Sequence, residues 1–252
     1  MMRETALMIW WAVGWGGWID GRMLSTMRRC SPRGARDVLA AAVKRGWLTC
    51  HYVNSRCALY RVTEAGRMMA SGELQMPFLK QLDRFRASTA NGEFVPPVGW
   101  PHAREAAIAT TEIAKVLLPE YDIEPHWVFP MCQLRRMKGQ KTPDAMLVGA
   151  NFCVAHEYER SRKPGREKER HSTWETLERY MWDVSMGAVC FGDEKVTEVV
   201  ITPHKLCANE LDRHIRRHCG AKATKFGEVL KWGWHTNGVI ESREVLPEPP
   251  EE

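Results

Sequence analysis

The sequence predicts an α+β protein built from two domains and a linker. Its 252 residues exceed the usual size of one domain, and 44% hydrophobic with 27% charged residues is typical of a globular chain. Residues 1–70 contain eleven Lys and Arg against four acids, a net charge of +7, which leaves −2 for the rest of a chain of +5. Residues 71–101 contain too many Gly, Pro and Asn for one continuous element. We therefore expect domains at 1–70 and 102–240, a linker at 71–101 and a flexible tail at 241–252.

The apolar and cysteine patterns bear on the cell compartment. The longest apolar stretch, Ala6 to Ile19, is interrupted by glycines and is shorter than the roughly 20 residues of a membrane span. A signal peptide is the alternative interpretation, but no small-residue cleavage site follows the stretch. Eight evenly spread cysteines lack the density of a secreted disulfide scaffold. We expect reduced thiols, a cytoplasmic protein and no membrane partner.

Three helices are predicted near the start of the chain, at 4–15, 24–29 and 32–45. The third has the clearest signals, because Ser31 is a good N-cap and Pro32 suits the first helical position. Its apolar residues recur at three- and four-residue spacing, which predicts one packed face. Its basic residues lie off that stripe or at its ends: Arg33, Arg36, Lys44 and Arg45.

A hairpin and a further helix follow. Gly46 ends the third helix, and residues 47–53 and 58–62 read as two strands across a turn. Thr63 then caps a helix over 64–70. This order, with "KRGWL" leading to "YRVTEAG", resembles the winged helix-turn-helix family over about 65 residues.

The resemblance implies that the 32–45 helix enters the major groove of double-stranded DNA. Arg33 and Arg36 would lie near its leading end, Lys44 and Arg45 at its trailing end, and Arg56 on the wing would touch a phosphate. The alternative is a protein-binding module with a solvated basic face. The charge of +7 on this segment favours DNA, because a polyanion is its natural partner.

The second domain has the predicted order α-β-β-β-α-β-α. The helices are expected at 103–118, 166–184 and 205–219, and the strands at 127–131, 145–148, 152–159 and 196–201.

Three acids lie on the middle strands of this domain. Asp144 enters the second strand, and alternation on the third puts Glu157 and Glu159 on one face and His156 on the other. Carboxylate oxygens suit Mg²⁺ or Mn²⁺, so these residues predict a metal site, whereas His156 is expected to be packed or hydrogen-bonded. The alternative is a solvated edge strand whose charges prevent aggregation.

These residues resemble the PD-(D/E)xK nuclease superfamily, whose restriction-endonuclease-like αβββαβ core carries an Asp and a Glu-x-Lys on adjacent strands. The resemblance implies that Asp144 and Glu157 hold the metal for hydrolysis of DNA phosphodiesters. Glu159 stands where the family usually has lysine and would act as a third acid or base. Lys163 could supply the missing ammonium. A degenerate domain that binds DNA without cutting it is the alternative.

A narrower resemblance is to the replication-relaxation family of plasmids and mobile elements. It rests on short motifs, which here are His102, Pro143-Asp144, Glu157 to Glu159 and Tyr180. It implies a role in plasmid replication, DNA relaxation or mobilisation, with replication or mobilisation proteins and a second copy of the chain as candidate partners. The domain order also resembles Mrr-type restriction enzymes, which implies host defence as another setting.

Overall fold

The chain forms two compact units. One comprises residues 1–112 with 129–134, and the other comprises 113–128 with 135–252. The computed structural model describes residues 2–54, 57–76, 87–90, 93–97, 99–121, 128–130, 143–148, 153–159, 190–191, 194–196, 198–203, 231–236 and 239–245. Helices and sheets both occur in these ranges, so the predicted α+β class is confirmed.

The first unit opens with helices around a small sheet. Its first elements are α1 (Met2–Gly14), β1 (Trp18–Asp20), α2 (Gly21–Arg28), α3 (Pro32–Lys44), β2 (Leu48–Asn54), β3 (Cys57–Val62) and α4 (Glu64–Leu74). The antiparallel sheet has the strand order β1-β3-β2. The sequence did not predict β1, because its three residues are all buried and show no polar-apolar alternation.

Short-range signals fix the helix ends in this unit. The side chains of Asp20, Ser31 and Thr63 each accept a hydrogen bond from the main-chain N–H three residues on, as N-caps do. Gly46 has a φ of 72°, which ends α3 in a conformation that glycine adopts without strain. The caps predicted at Ser31 and Thr63 are thus confirmed.

The core of the first unit is rich in tryptophan. From Met8 to Trp15 every residue of α1 and its exit turn is buried, and α1 packs against α4. Trp10, Trp15 and Trp18 are almost completely enclosed. Large aromatic side chains bury 150–250 Å² each, so these indoles supply much of the apolar burial that stabilises the unit.

A short hairpin and the start of a long helix complete the first unit. The hairpin is β4 (Ser88–Ala90) with β5 (Glu93–Val95), and the helix is α5 (Trp100–Tyr121). The ring of Phe94 stacks on His51 with centroids 4.8 Å apart and lies 5.7 Å from Trp18. Arg104 forms an ion pair with Asp20, the N-cap of α2. Phe94 of the predicted linker and Arg104 of the predicted second domain thereby pack on the N-terminal elements.

A six-stranded mixed sheet forms the frame of the second unit. Within this unit its strands are β7 (Ala145–Val148), β8 (Cys153–Glu159), β11 (Glu198–Pro203), β12 (Lys231–Thr236) and β13 (Val239–Val245), in the order β13-β12-β11-β8-β7. The sixth strand, β6 (Val128–Pro130), follows β7 in the strand order, and the division between the units falls after its first residue. A separate hairpin pairs β9 (Cys190–Phe191) with β10 (Glu194–Lys195). Strand β8 is antiparallel to β7 and parallel to β11. The predicted helices at 166–184 and 205–219 lie outside the described residues.

The flexible tail predicted at 241–252 begins too early in the chain. Residues 241–245, assigned to a tail, are part of β13, which pairs with β12. None of the helices in the described ranges has both the length and the apolar character needed to cross a lipid bilayer.

Alanine substitutions at two glycines of α4 should have opposite effects on stability. A Cβ at Gly66 would lie 2.4 Å from the main-chain oxygen of Trp47, which also accepts a hydrogen bond from Thr63 N–H. At Gly72, in the same helix, a Cβ meets nothing within 4 Å. We expect Gly66→Ala to lower the free energy of unfolding by about 1–3 kcal/mol, because backbone must move. Gly72→Ala should raise it by about 0.5–1 kcal/mol. Urea unfolding of both variants measures these free energies. A Gly66→Ala variant as stable as the wild type would contradict the close packing of Gly66 against Trp47.

Candidate functional site

Asp144 lies at the entry to β7, against the strand β8 that carries Glu157. The register of β7 and β8 pairs Ala145 with His156, and Asp144 precedes Ala145. Two hydrogen bonds tie Asp144 to β8: Asp144 N–H donates to the His156 carbonyl at 3.0 Å, and Tyr158 N–H donates to Asp144 Oδ2 at 2.8 Å. These bonds attach Asp144 to the two residues that flank Glu157 in the chain.

Both carboxylates are buried. Asp144 is 6% exposed and Glu157 is 3% exposed, and the described side chains of β7 and β8 are buried on both faces. Strand β8 lies between β7 and β11, so it is not an edge strand. The alternative interpretation, a solvated acidic edge, is therefore wrong.

The other face of the sheet carries a separate polar pair. His156 is fully buried, and its Nε2 lies 3.0 Å from Thr202 Oγ1 on β11. The prediction that His156 is a packed, hydrogen-bonded residue is confirmed. Glu198, which is also buried, pairs in register with Val154 and so shares the face of His156 and not that of Glu157.

The other predicted residues of the acidic site lie partly or wholly outside the described parts of the chain. Glu159 is the last residue of β8 and pairs in register with Pro203, but its side chain lies outside what the structure describes. Lys163 and Tyr180 lie outside the described residues. Within the described ranges, no group of three His, Cys, Asp or Glu side chains is arranged to hold a metal ion.

The chemistry of this pair follows from its burial. Two neighbouring carboxylates away from water repel each other unless a cation or a shared proton lies between them. Hard divalent cations such as Mg²⁺ bind through one or two carboxylates and keep several water molecules. Asp144 and Glu157 fit that ligand set. Asp144 has a second role, because its Oδ2 accepts the main-chain N–H of Tyr158 in place of a carbonyl.

The second candidate surface is the exposed side of α3 in the first unit. The apolar residues Ala35, Leu39 and Ala42 are buried, as the spacing predicts. The opposite side is an exposed stripe at helical spacing, formed by Arg33, Arg36, Asp37, Ala40, Ala41 and Lys44. We call this set the α3 stripe. Three of the five predicted DNA-binding residues belong to it.

The other two predicted DNA-binding residues differ in their surroundings. Arg45 is exposed, and its guanidinium lies 4.9 Å from the centroid of the Trp47 ring, so it stacks on the start of the wing. Arg56 lies outside the described residues. Tyr52, an aromatic side chain on β2 that is 74% exposed, was not predicted as a surface residue. Strand alternation gives no signal for it, because Tyr52 lies four residues after the buried Leu48 and so has the same parity in the strand.

Electrostatics connect the α3 stripe to the hairpin. The pKa of Tyr60 on β3 is raised by burial and then by the neighbouring Cys50 and Tyr52, while the positive charge of Arg36 opposes the shift. Arg36 is therefore close enough to the β2–β3 hairpin to act on it. On the other face, burial and then Arg61 lower the pKa of His51, which stacks on Phe94. Helix α3 also contacts β2, so the helix and the hairpin are neighbours in the fold.

Comparisons of the chain with protein-family models, with curated proteins and with solved structures found no match.

Substitution of Asp144 should separate its structural role from its charge. Asp144→Ala leaves the buried N–H of Tyr158 without its acceptor, so the free energy of unfolding should fall by about 1–3 kcal/mol. Asp144→Asn keeps an oxygen acceptor and should lower it by less. Urea unfolding without divalent ions measures both. Equal losses in the two variants would contradict the hydrogen bond to Tyr158.

Proposed function

We propose that this chain is a DNA-binding protein whose second unit is a metal-dependent, nuclease-like domain that hydrolyses DNA phosphodiesters. The observation that carries the proposal is the adjacent, buried pair of Asp144 and Glu157 at the point where β7 meets β8. Acids on adjacent strands of a mixed sheet are also the arrangement that the PD-(D/E)xK resemblance implies. The element order of α5, β6, β7, β8 and β11, with β8 parallel to β11, is consistent with that resemblance.

The roles of the residues follow from their positions. Asp144 and Glu157 would hold Mg²⁺ or Mn²⁺, which when bound supplies Lewis-acid activation of water and neutralises charge at the phosphate. Asp144 would keep its orientation through Tyr158 N–H, which fixes one of its oxygens. Glu159 would serve as a third acid or base, and Lys163 would stabilise developing negative charge.

The first unit supports the DNA-binding half of the proposal. Helices α1, α2 and α3, the hairpin β2–β3 and the strand β1 that completes its sheet follow the order of a winged helix-turn-helix. The cations of the α3 stripe form no ion pair within the ranges that the structure describes, so they are available to phosphates. We propose that α3 docks in the major groove of double-stranded DNA.

The alternative is a regulator, or a replication or mobilisation accessory protein, that binds DNA without cutting it. Two observations favour it. Asp144 has a structural reason to be an acid, because it accepts Tyr158 N–H. The residue at 159 is Glu, whereas the superfamily usually has Lys there. In this alternative the protein has the same DNA-binding surface and sheet but does not cleave DNA.

Metal titration should test the acidic pair directly. Isothermal calorimetry with Mg²⁺ and Mn²⁺ should detect binding to the wild type, and Asp144→Asn and Glu157→Gln should each weaken it at least tenfold, because each removes one charged ligand. Glu198→Gln is the matched control, since it neutralises a buried glutamate on the opposite face of the same sheet. Equal affinity in all four proteins would overturn the metal site.

A plasmid-nicking assay with Mn²⁺ then decides between cleavage and binding alone. Wild type and Glu198→Gln should convert supercoiled plasmid to nicked or linear forms, and Glu157→Gln should not. Absence of cleavage on supercoiled, relaxed and methylated DNA, by a protein that still binds metal and DNA, would favour the regulator.

Removal of two cations from the α3 stripe should weaken DNA binding and its salt dependence. Each lost phosphate contact reduces the slope of log K against log[salt] by about 0.9. The double variant Arg33→Ala with Arg36→Ala should therefore bind duplex DNA more weakly, with a flatter salt dependence, in fluorescence anisotropy. The control, Arg3→Ala with Arg22→Ala, removes the same charge from exposed residues outside α3 and the hairpin. If both doubles behave alike, α3 is not the docking helix.

A further inference from the structure

The α3 stripe contains one feature that a purely phosphate-binding surface would not have. Asp37 is exposed in the middle of it, one helical turn from Arg33 and from Ala41. No ion pair holds Asp37 within the described ranges. If the stripe lay against the DNA backbone, this carboxylate would be repelled by phosphates, which occur about every 1.7 Å along the duplex axis.

The length of the α3 stripe would place Asp37 opposite the base pairs and not opposite the phosphates. Arg33 and Lys44 are eleven residues apart, which is about 16 Å along a helix, whereas the major groove is about 12 Å wide. Cations at the two ends can therefore reach the phosphates at the groove edges. The residues between them then face the base pairs, where donor groups are exposed.

The neighbours of Asp37 permit a close approach to the bases. Ala40 and Ala41 are exposed and carry only methyl groups, so no long side chain holds the helix backbone away from the groove floor. A short acidic side chain at this position can accept a hydrogen bond from the N4 amino group of cytosine. Arg36, beside it, has the geometry to donate two hydrogen bonds to guanine O6 and N7.

We infer that Asp37 is a specificity-determining residue, which accepts a hydrogen bond from a cytosine amino group while Arg33 and Lys44 hold the flanking phosphates. This inference rests on the proposed DNA-binding function. It deepens that function by making the ligand a duplex of preferred sequence. The negative charge of Asp37 also lowers the affinity for DNA of unrelated sequence. Asp37 therefore increases specificity both by binding the preferred sequence and by weakening the binding of other sequences.

The test is a selection from a randomised duplex library with the full chain, followed by anisotropy titration of the selected duplex and of single-base variants. Wild type should require cytosine at one position and discriminate against other bases by about 5- to 100-fold. Asp37→Asn should lose most of that discrimination, since its amide can both donate and accept, and should bind random duplex several-fold more tightly.

Glu73→Gln is the matched control. It removes one exposed negative charge from α4, outside the stripe, and should leave the sequence preference unchanged. An unchanged preference in Asp37→Asn, or the same change in Glu73→Gln, would overturn the inference. Wild-type binding without any sequence preference would overturn it and leave DNA binding standing. Absence of wild-type binding to any duplex would overturn the proposed function as well.

Discussion

The hydrogen bond between Tyr158 N–H and the buried carboxylate of Asp144 is the contact on which the second unit depends most. An N–H in the middle of a buried sheet requires an acceptor, and here a side chain supplies it instead of a carbonyl. The same contact holds Asp144 against β8, the strand that carries Glu157, so one interaction ties the chain that enters β7 to its neighbouring strand.

Concentrated charge in a buried place needs compensation, and this explains why a cation is the best candidate ligand. A lone buried carboxylate can be held by main-chain donors, as Asp144 is in part. A second carboxylate beside it adds repulsion that main-chain donors relieve only partly. On the opposite face, His156 lies against the neutral hydroxyl of Thr202, and the buried Glu198 shares that face. Buried acids therefore occur on both faces of the sheet, and the proposed metal site depends on the position of Asp144 and Glu157 on neighbouring segments.

The sequence predicted much of this arrangement and missed parts for physical reasons. The caps at Ser31 and Thr63, the end of α3 at Gly46, and the strand 145–148 follow from local rules and were predicted correctly. The separation of His156 from Glu157 followed from strand alternation. Burial was not predictable, because Asp144 and Glu157 read equally well as a solvated edge until their neighbouring strands are known. Strands β12 and β13 were missed. The alternation in β12 is limited to Trp232 and Trp234, and the interior of β13 is polar, so neither segment shows a strong strand pattern by itself.

The packing of Phe94 and Arg104 on the N-terminal elements has a practical consequence for protein engineering. Phe94 contacts the ring of Trp18, and Arg104 neutralises the carboxylate that begins α2. A truncation after residue 70 would strip both partners, leaving an indole and a charged cap facing water. A transplantable version of the N-terminal module should therefore run through residue 112, where the first compact unit's long N-terminal segment ends.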